Sequence, residues 1–298
     1  MDRLTEQAAL LALLRNRKSG WGAIADEVEM SGSAVTVLMD AGGLRPGQGQ
    51  LFDPDCRDAE LALAQSQRDI EGWDRQGLQL VTLLDPEYPA HLLTIHQRPP
   101  FLFYRGHLDS DDARSVAVVG TRKPSAEGLR RATDIAAGLA RQGTTVVSGL
   151  AEGVDRAAHT AALSEGGRTV AVIGTGILRY YPPANRELQE RIGSEHLVIS
   201  QFWPDTAPTK HTFPMRNAVM SGYAAATVVV EAAYRSGARM QARLALEHGR
   251  PVFLLRSLMD HDWARDYAQR GAHVVRDAED VLATLDTILT PPMHLAWT

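Results

Sequence analysis

A single cysteine, Cys56, is all the thiol chemistry in this 298-residue chain. That excludes an internal disulfide and any zinc site built on several cysteines. No run of about 18 apolar residues occurs, so no membrane-spanning helix is expected. The first residues lack the basic, apolar, small-residue succession of a signal peptide, which makes the cytoplasm the expected compartment. The Gly-x-x-x-x-Gly-Lys-Ser/Thr run of P-loop ATPases is missing, and no internal repeat or low-complexity tract is visible. Net charge is −5, so the chain is not coated in positive charge; nucleic-acid binding, which needs only a local basic pocket, stays open. With 44% hydrophobic and 22% charged residues, the composition is that of an ordinary globule with one large or two modest domains.

What the chain has in quantity is strand-length apolar runs ending in glycine turns, from Ser115 to Leu255. They read Val116-Ala-Val-Val-Gly-Thr-Arg122, Val146-Val-Ser-Gly-Leu-Ala-Glu-Gly-Val-Asp155, Val170-Ala-Val-Ile-Gly-Thr-Gly176 and Val228-Val-Val-Glu-Ala232. Each is followed by a helical pattern, which predicts an α/β fold: a Rossmann-like parallel sheet with helices on both faces and functional loops at its carboxyl edge. Before it, Leu10, Leu11, Leu13 and Leu14, then Ala23 to Val28, then Val35 to Met39 mark short helices broken at Gly20 and Ser31-Gly-Ser33. These predict a small helical amino-terminal module, read as a packing or protein-contact unit in preference to a DNA-reading helix-turn-helix. Arg45 to Gln50 reads as a loop, and Cys56 to about Gly72 as a further helix. The organisation expected is a helical module over 1–71 and a Rossmann-like domain over 72–290. Leu78 to Leu84 and Pro99 to Tyr104 are strand-like, as is His273 to Arg276, and Ala278 to Leu289 is a last helix.

The loops carry the chemistry. Gly120, Thr121, Arg122 and Lys123 lead to a helix that Ser125 is placed to cap, so backbone N–H groups and two cations face a potential anion. Gly149 and Gly153 flank a second turn and would let backbone approach a ligand closely; Asp155 is placed to cap the helix that follows. Ser148 is not in a nucleophile elbow. His159, without a Glu-x-x-His partner or nearby cysteine, reads as packed rather than metal-binding. Gly174 and Gly176 end a third strand, but no acidic residue follows at dinucleotide spacing, so no NAD is expected and a mononucleotide stays open. Lys210, Phe213, Arg216 and Asn217 fall within eight residues and combine phosphate neutralisation, a stacking face and a second phosphate clamp in what reads as an extended loop before Pro214. Glu231 reads as a residue that orients a loop by hydrogen bonds rather than an acid or base.

These segments, in this order, resemble the DNA-processing protein A (DprA/Smf) family, with its Gly-Ser-Arg loop, Ser-Gly-x-Ala-x-Gly-Ile-Asp-x-x-Ala-His segment and Phe-Pro-x-Arg-Asn-Arg segment. Tyr88-Pro89 and Pro99-x-Phe-Leu-Phe are similar to the family's lead-in, so the likeness spans roughly 72–256. It implies a non-enzymatic single-stranded-DNA-binding protein that assists loading of the recombinase RecA during natural transformation, with Arg122 and Lys210 on phosphates and Phe213 stacking on a base. No cofactor or metal is implied, and a homodimer is compatible. Departures are Thr121 for Ser, Ala218 for the final arginine, Gln201 for Glu, Arg256-Ser257 for Pro-Gly, and Trp263 to Tyr267 in place of a Gly-x-Asn-x-Leu-Ile segment. They are read as touching loops rather than core strands. The alternative is a nucleotide-sensing or partner-regulating protein on the same scaffold, with a nucleotide at the Gly120, Gly149 and Gly174 loops; a nucleoside-phosphate hydrolase using Glu231 stands third.

Overall fold

A computed structural model describes residues 2–41 and 54–289. The helices α1 (Arg3–Asn16), α2 (Trp21–Ser31), α3 (Ala34–Ala41) and α4 (Pro54–Asp74) come first. Then follow β1 (Gln79–Thr82), α5 (Ala90–Leu93), β2 (Phe101–Gly106), β3 (Ser115–Val119), α6 (Ala126–Arg141), β4 (Thr145–Ser148), α7 (Val154–Ser164) and β5 (Thr169–Val172). The chain continues through α8 (Arg186–Glu195), β6 (Leu197–Ser200), α9 (Thr212–Tyr223), β7 (Ala226–Val229) and α10 (Gly237–Glu247). It closes with β8 (Val252–Leu255), α11 (Asp262–Gln269), β9 (His273–Val275) and α12 (Ala278–Leu289). The loop reading of Arg45–Gln50 and the boundary at 290 lie outside the described residues.

All nine strands form one sheet in the order β1-β2-β6-β5-β4-β3-β7-β8-β9. From β6 to β9 every pairing is parallel, while β1 with β2 and β2 with β6 are antiparallel. The Rossmann-like expectation holds for the centre, and the strand-like lead-in becomes an antiparallel end. Strands β3 to β8 are buried throughout, as continuous apolar runs in a two-sided parallel sheet must be. Side-chain alternation divides them: Ala117, Val119, Val147 and Val229 pack under α9, α10 and α11, whereas Val116, Val118, Val146 and Val228 pack under α6, α7 and α12.

The amino-terminal helices bury Leu10, Leu11, Leu13 and Ile24 against Phe101, Phe103, Ala171 and Ile173, so they share a core with the antiparallel end of the sheet. Trp21 meets Phe101 at 5.2 Å between ring centroids, Trp73 meets Phe103 at 4.9 Å, and Trp203 meets Phe101 at 5.0 Å. The division drawn at 71/72 falls inside α4, which runs on to Asp74. Neither α2 nor α3 carries a lysine or arginine, and α2 presents Asp26, Glu27 and Glu29. Two of these carboxylates pair with Arg98 and one with Arg17. Helices without cations have no charge with which to neutralise DNA phosphates, which favours the packing reading. Among the described residues, no helix is long and apolar enough to cross a membrane, and no group of three or more metal-ligating side chains occurs.

Candidate nucleic-acid interface

The parallel strands deliver their following loops to one edge of the sheet, and there the loops after β3 and β4 meet the first turns of α9 and α10. Between them lies a cavity of about 440 Å³ lined by Gly120, Thr121, Arg122, Lys123, Ala151, Asp155, Phe213, Arg216, Asn217, Arg235, Ser236 and Gln241 among others. Arg122 and Lys123 are exposed, and neither makes an ion pair among the described residues. A larger groove of about 1100 Å³ runs between α6 and α12. Most of its arginines pair with neighbouring carboxylates, Arg130 and Arg131 with Glu127, Arg114 with Asp286 and Arg276 with Asp280, so the smaller cavity has the higher share of cations without an ion pair among the described residues.

Local hydrogen bonds fix the loop after β3. The Glu231 carboxylate, at the end of β7, accepts from the Ser125 N–H at 3.1 Å and from the Ser125 hydroxyl at 2.7 Å. Ser125 Oγ in turn accepts from the Gly128 N–H at 2.9 Å, the N-cap bond expected for α6. The Thr121 N–H donates to the Glu231 carbonyl at 2.8 Å, and Thr121 Oγ1 accepts from the Lys123 N–H at 3.2 Å. Glu231 therefore orients the loop, and both carboxylate oxygens are used in doing so.

Residues 212–217 do not form the extended loop expected from Pro214. They open α9, with Pro214 in its first turn, where a missing N–H costs nothing because no intrahelical partner exists for it. Phe213, Arg216, Asn217 and Met220 then share one helix face, and all four line the cavity. This corrects the reading of Arg216 as a free phosphate clamp. Arg216 is only 6% exposed. Its Nη1 donates to the carbonyls of Gly149 and, at 2.9 Å, of Val172, while Nε donates to Asn217 Oδ1 at 3.0 Å. Nη2 makes no hydrogen bond among the described residues. Burial pulls Arg216 down and pushes the Asp155 carboxyl up, and each opposes the other's shift by favouring its charged form. Asn217 is likewise buried, its Nδ2 donating to the Gly237 carbonyl at 3.3 Å at the start of α10.

The glycines read as making room for a ligand make room for the protein itself. A Cβ at Gly149 would run into the Arg216 guanidinium, one at Gly174 would lie 2.7 Å from Phe213 Cδ1, and one at Gly176 would meet the Trp203 and Pro204 carbonyls. Gly153, at φ +78°, abuts the Thr121–Arg122 backbone and is itself the N-cap of α7. Asp155 is accordingly not the cap: it is the second residue of α7, buried, accepting weakly from the Ala151 N–H at 3.4 Å. Lys210 is exposed in the turn before α9 and does not line the cavity.

Ala218, one of the family departures, is buried in α9, and Trp263 and Tyr267 are buried in α11. Those changes therefore touch packed helices rather than loops alone. Sequence reasoning also missed Arg235 and Ser236, which line the cavity from the start of α10, and Tyr181, whose ring packs on Phe213. The available signal for Tyr181 was an aromatic pair set between Arg179 and Arg186.

His159 is fully buried, with Nδ1 2.7 Å from Thr169 Oγ1. The Thr169 hydroxyl proton is committed to the Val146 carbonyl at 2.7 Å, so Nδ1 donates to Thr169 Oγ1 and carries the imidazole proton. Burial, reinforced by Arg216, holds this histidine down to about 3 from 6.5. The unfolded chain takes up a proton near pH 6.5 while the fold refuses it until about pH 3. Stability is therefore expected to fall by about 1.4 kcal/mol per pH unit below that upper limit from this group. Denaturant titrations between pH 6 and 4 check it: His159→Gln should show a shallower decline than the parent.

The DNA recombination-mediator protein A family model matches residues 79–286. DNA processing protein DprA of Streptococcus pneumoniae is 42% identical over 208 residues, covering 69% of this chain and 73% of its own length. The Bacillus subtilis DNA processing protein DprA is 33% identical over 222 residues, covering 73% and 75%. Protein Smf of Synechocystis is 38% identical over 226 residues, but this chain spans only 57% of it. Among solved structures, S. pneumoniae DNA processing protein A aligns over 94% of this chain and 93% of its own, at a TM-score of 0.68 and 35% identity. The Helicobacter pylori DNA processing protein A, described for its single-stranded DNA binding mode, aligns over 70% of this chain and 97% of its own, at a TM-score of 0.61 and 27% identity. With the matched region carrying the whole sheet and the cavity at its edge, this chain belongs to the DNA recombination-mediator protein A family.

Proposed function

We propose that this protein binds single-stranded DNA in the cavity at the carboxyl edge of the sheet and assists loading of a RecA recombinase onto the strand it holds. The observation that carries the binding is the meeting, in one cavity, of Arg122, Lys123 and Arg235 with the half-buried Phe213 ring, over which the Arg122 guanidinium stands 5.3 Å from the centroid. In a chain of net charge −5 these cations form a local excess, and a ring beside phosphate-neutralising side chains is the equipment of single-strand recognition. Lys210, three residues before Phe213, adds an exposed cation in the turn that leads into α9. The H. pylori relative's described single-strand binding supports the reading. The recombinase step rests on family membership.

Titration of labelled oligothymidines of increasing length at several salt concentrations tests it. Affinity is expected to rise with length, with a log–log salt slope of about −0.7 for each phosphate neutralised. Arg122→Ala and Lys210→Ala should each weaken binding and flatten that slope by about 0.7 at unchanged melting temperature. Tight binding of mononucleotides with no gain from length would instead support a nucleotide sensor. RecA filament assembly on single strands, with and without the protein, tests the loading step.

A further inference from the structure

Phe213 is not the outermost ring of the site. Gly174 closes on its edge, Arg122 stands over it, and Tyr181 packs against it at 5.5 Å between centroids and an interplanar angle of 43°. Tyr181 is 39% exposed, whereas Phe213 is half-buried. Tyr180, the preceding ring, lies apart from these, lining a separate pocket with Arg105, Glu190 and Val198. Arg122, Phe213 and Tyr181 therefore form a row that starts at a cation and ends at an exposed ring.

We propose that Tyr181 is a second base-stacking station, and that a strand leaving the cavity passes from Phe213 onto Tyr181. This rests on the single-strand reading above. Phe213, wedged by its own protein on several sides, serves as backing that fixes the angle of Tyr181; the exposed tyrosine ring offers the face. The loop that carries Tyr181 follows β5 and opens at the same carboxyl edge as the Arg122 loop, so the row is continuous with the cavity. Stacking is tolerant of base identity, so this extension lengthens the footprint without adding sequence preference.

The test measures oligothymidine affinity for the full chain and for Tyr181→Ala, Tyr181→Phe and Arg122→Ala. Tyr181→Ala is expected to weaken binding by about fivefold to a hundredfold with its salt slope intact, and Tyr181→Phe to bind like the parent. On an oligomer of abasic sugars the Tyr181→Ala loss should vanish while the Arg122→Ala loss persists. Parental affinity in Tyr181→Ala, alongside weakened Arg122→Ala, would overturn the tyrosine station and leave the single-strand reading standing. Failure of the parent chain to bind with length dependence would overturn both. Should Tyr181→Ala melt below the parent, photo-crosslinking of the parent to a 5-iodouracil oligomer decides: an adduct on Tyr181 supports the proposal, and adducts found only elsewhere overturn it.

Discussion

Arg216→Met is expected to unfold this protein more readily rather than merely release DNA. The substitution keeps an apolar side chain of similar reach and deletes the guanidinium, leaving the Gly149 and Val172 carbonyls without their donor and the buried Asp155 without its nearest compensating charge. Orphaned buried acceptors cost about 1–3 kcal/mol each, and an uncompensated buried charge costs about 3–5 kcal/mol. Asp155, its carboxyl already pushed up by burial, can take up a proton and escape most of the charge cost, so a total loss of about 3–5 kcal/mol, with a fall in Tm on the order of 10 °C, is the expected outcome. Calorimetry or chemical denaturation measures it. If stability is unchanged while oligonucleotide affinity and salt slope fall, Arg216 is a phosphate clamp after all and the structural role assigned to it is wrong.

Phe213→Ala should have the opposite signature. Its ring is half-buried and bordered by Gly174, Arg122 and Tyr181, so its removal undoes the support of the aromatic row more than it opens the core. Single-strand affinity is expected to drop by about 1–3 kcal/mol. The stability loss should stay below the roughly 3–5 kcal/mol typical of a fully buried phenylalanine such as Phe103. A companion variant separates the ring's position from its presence. In Gly174→Val the ring is kept but displaced, because even a Cβ would lie 2.7 Å from Phe213 Cδ1. Equal weakening in both variants would show that orientation matters, whereas normal affinity in Phe213→Ala with a large fall in Tm would make the ring a core residue.

The central strands were legible because short, wholly apolar runs bounded by glycine leave few alternatives in a chain of this composition. The last helix, over Ala278–Leu289, was legible from its apolar period. The pairing direction of β1 and β2 was not, since an apolar run does not state which neighbour it will join or in which sense. The reading of Lys210 to Asn217 failed at Pro214. Proline disfavours helix at the residue before it, yet in the first turn of a helix it is tolerated, and the spacing of Phe213, Arg216, Asn217 and Met220 is that of one helix face. Asp155 misled in a similar way: a carboxylate near a helix start looks like a cap, but Gly153 with its positive φ had already turned the chain. Which groups a glycine makes room for is a tertiary fact, and no local pattern distinguishes Arg216 or Phe213 from a ligand.

The bracing of the site by Arg216, Glu231 and Asn217 bears on the speed of recognition. Arg216 joins the ends of β4 and β5 to α9, Glu231 holds the loop before α6, and Asn217 reaches the start of α10. Loops stitched together in this way have little conformational entropy left to lose when a ligand arrives. Encounter then need not wait for ordering, so the association rate is governed by how fast the exposed cations draw in a polyanion and falls as ionic strength rises. Under the single-strand proposal, residence time would be set separately, by the rings.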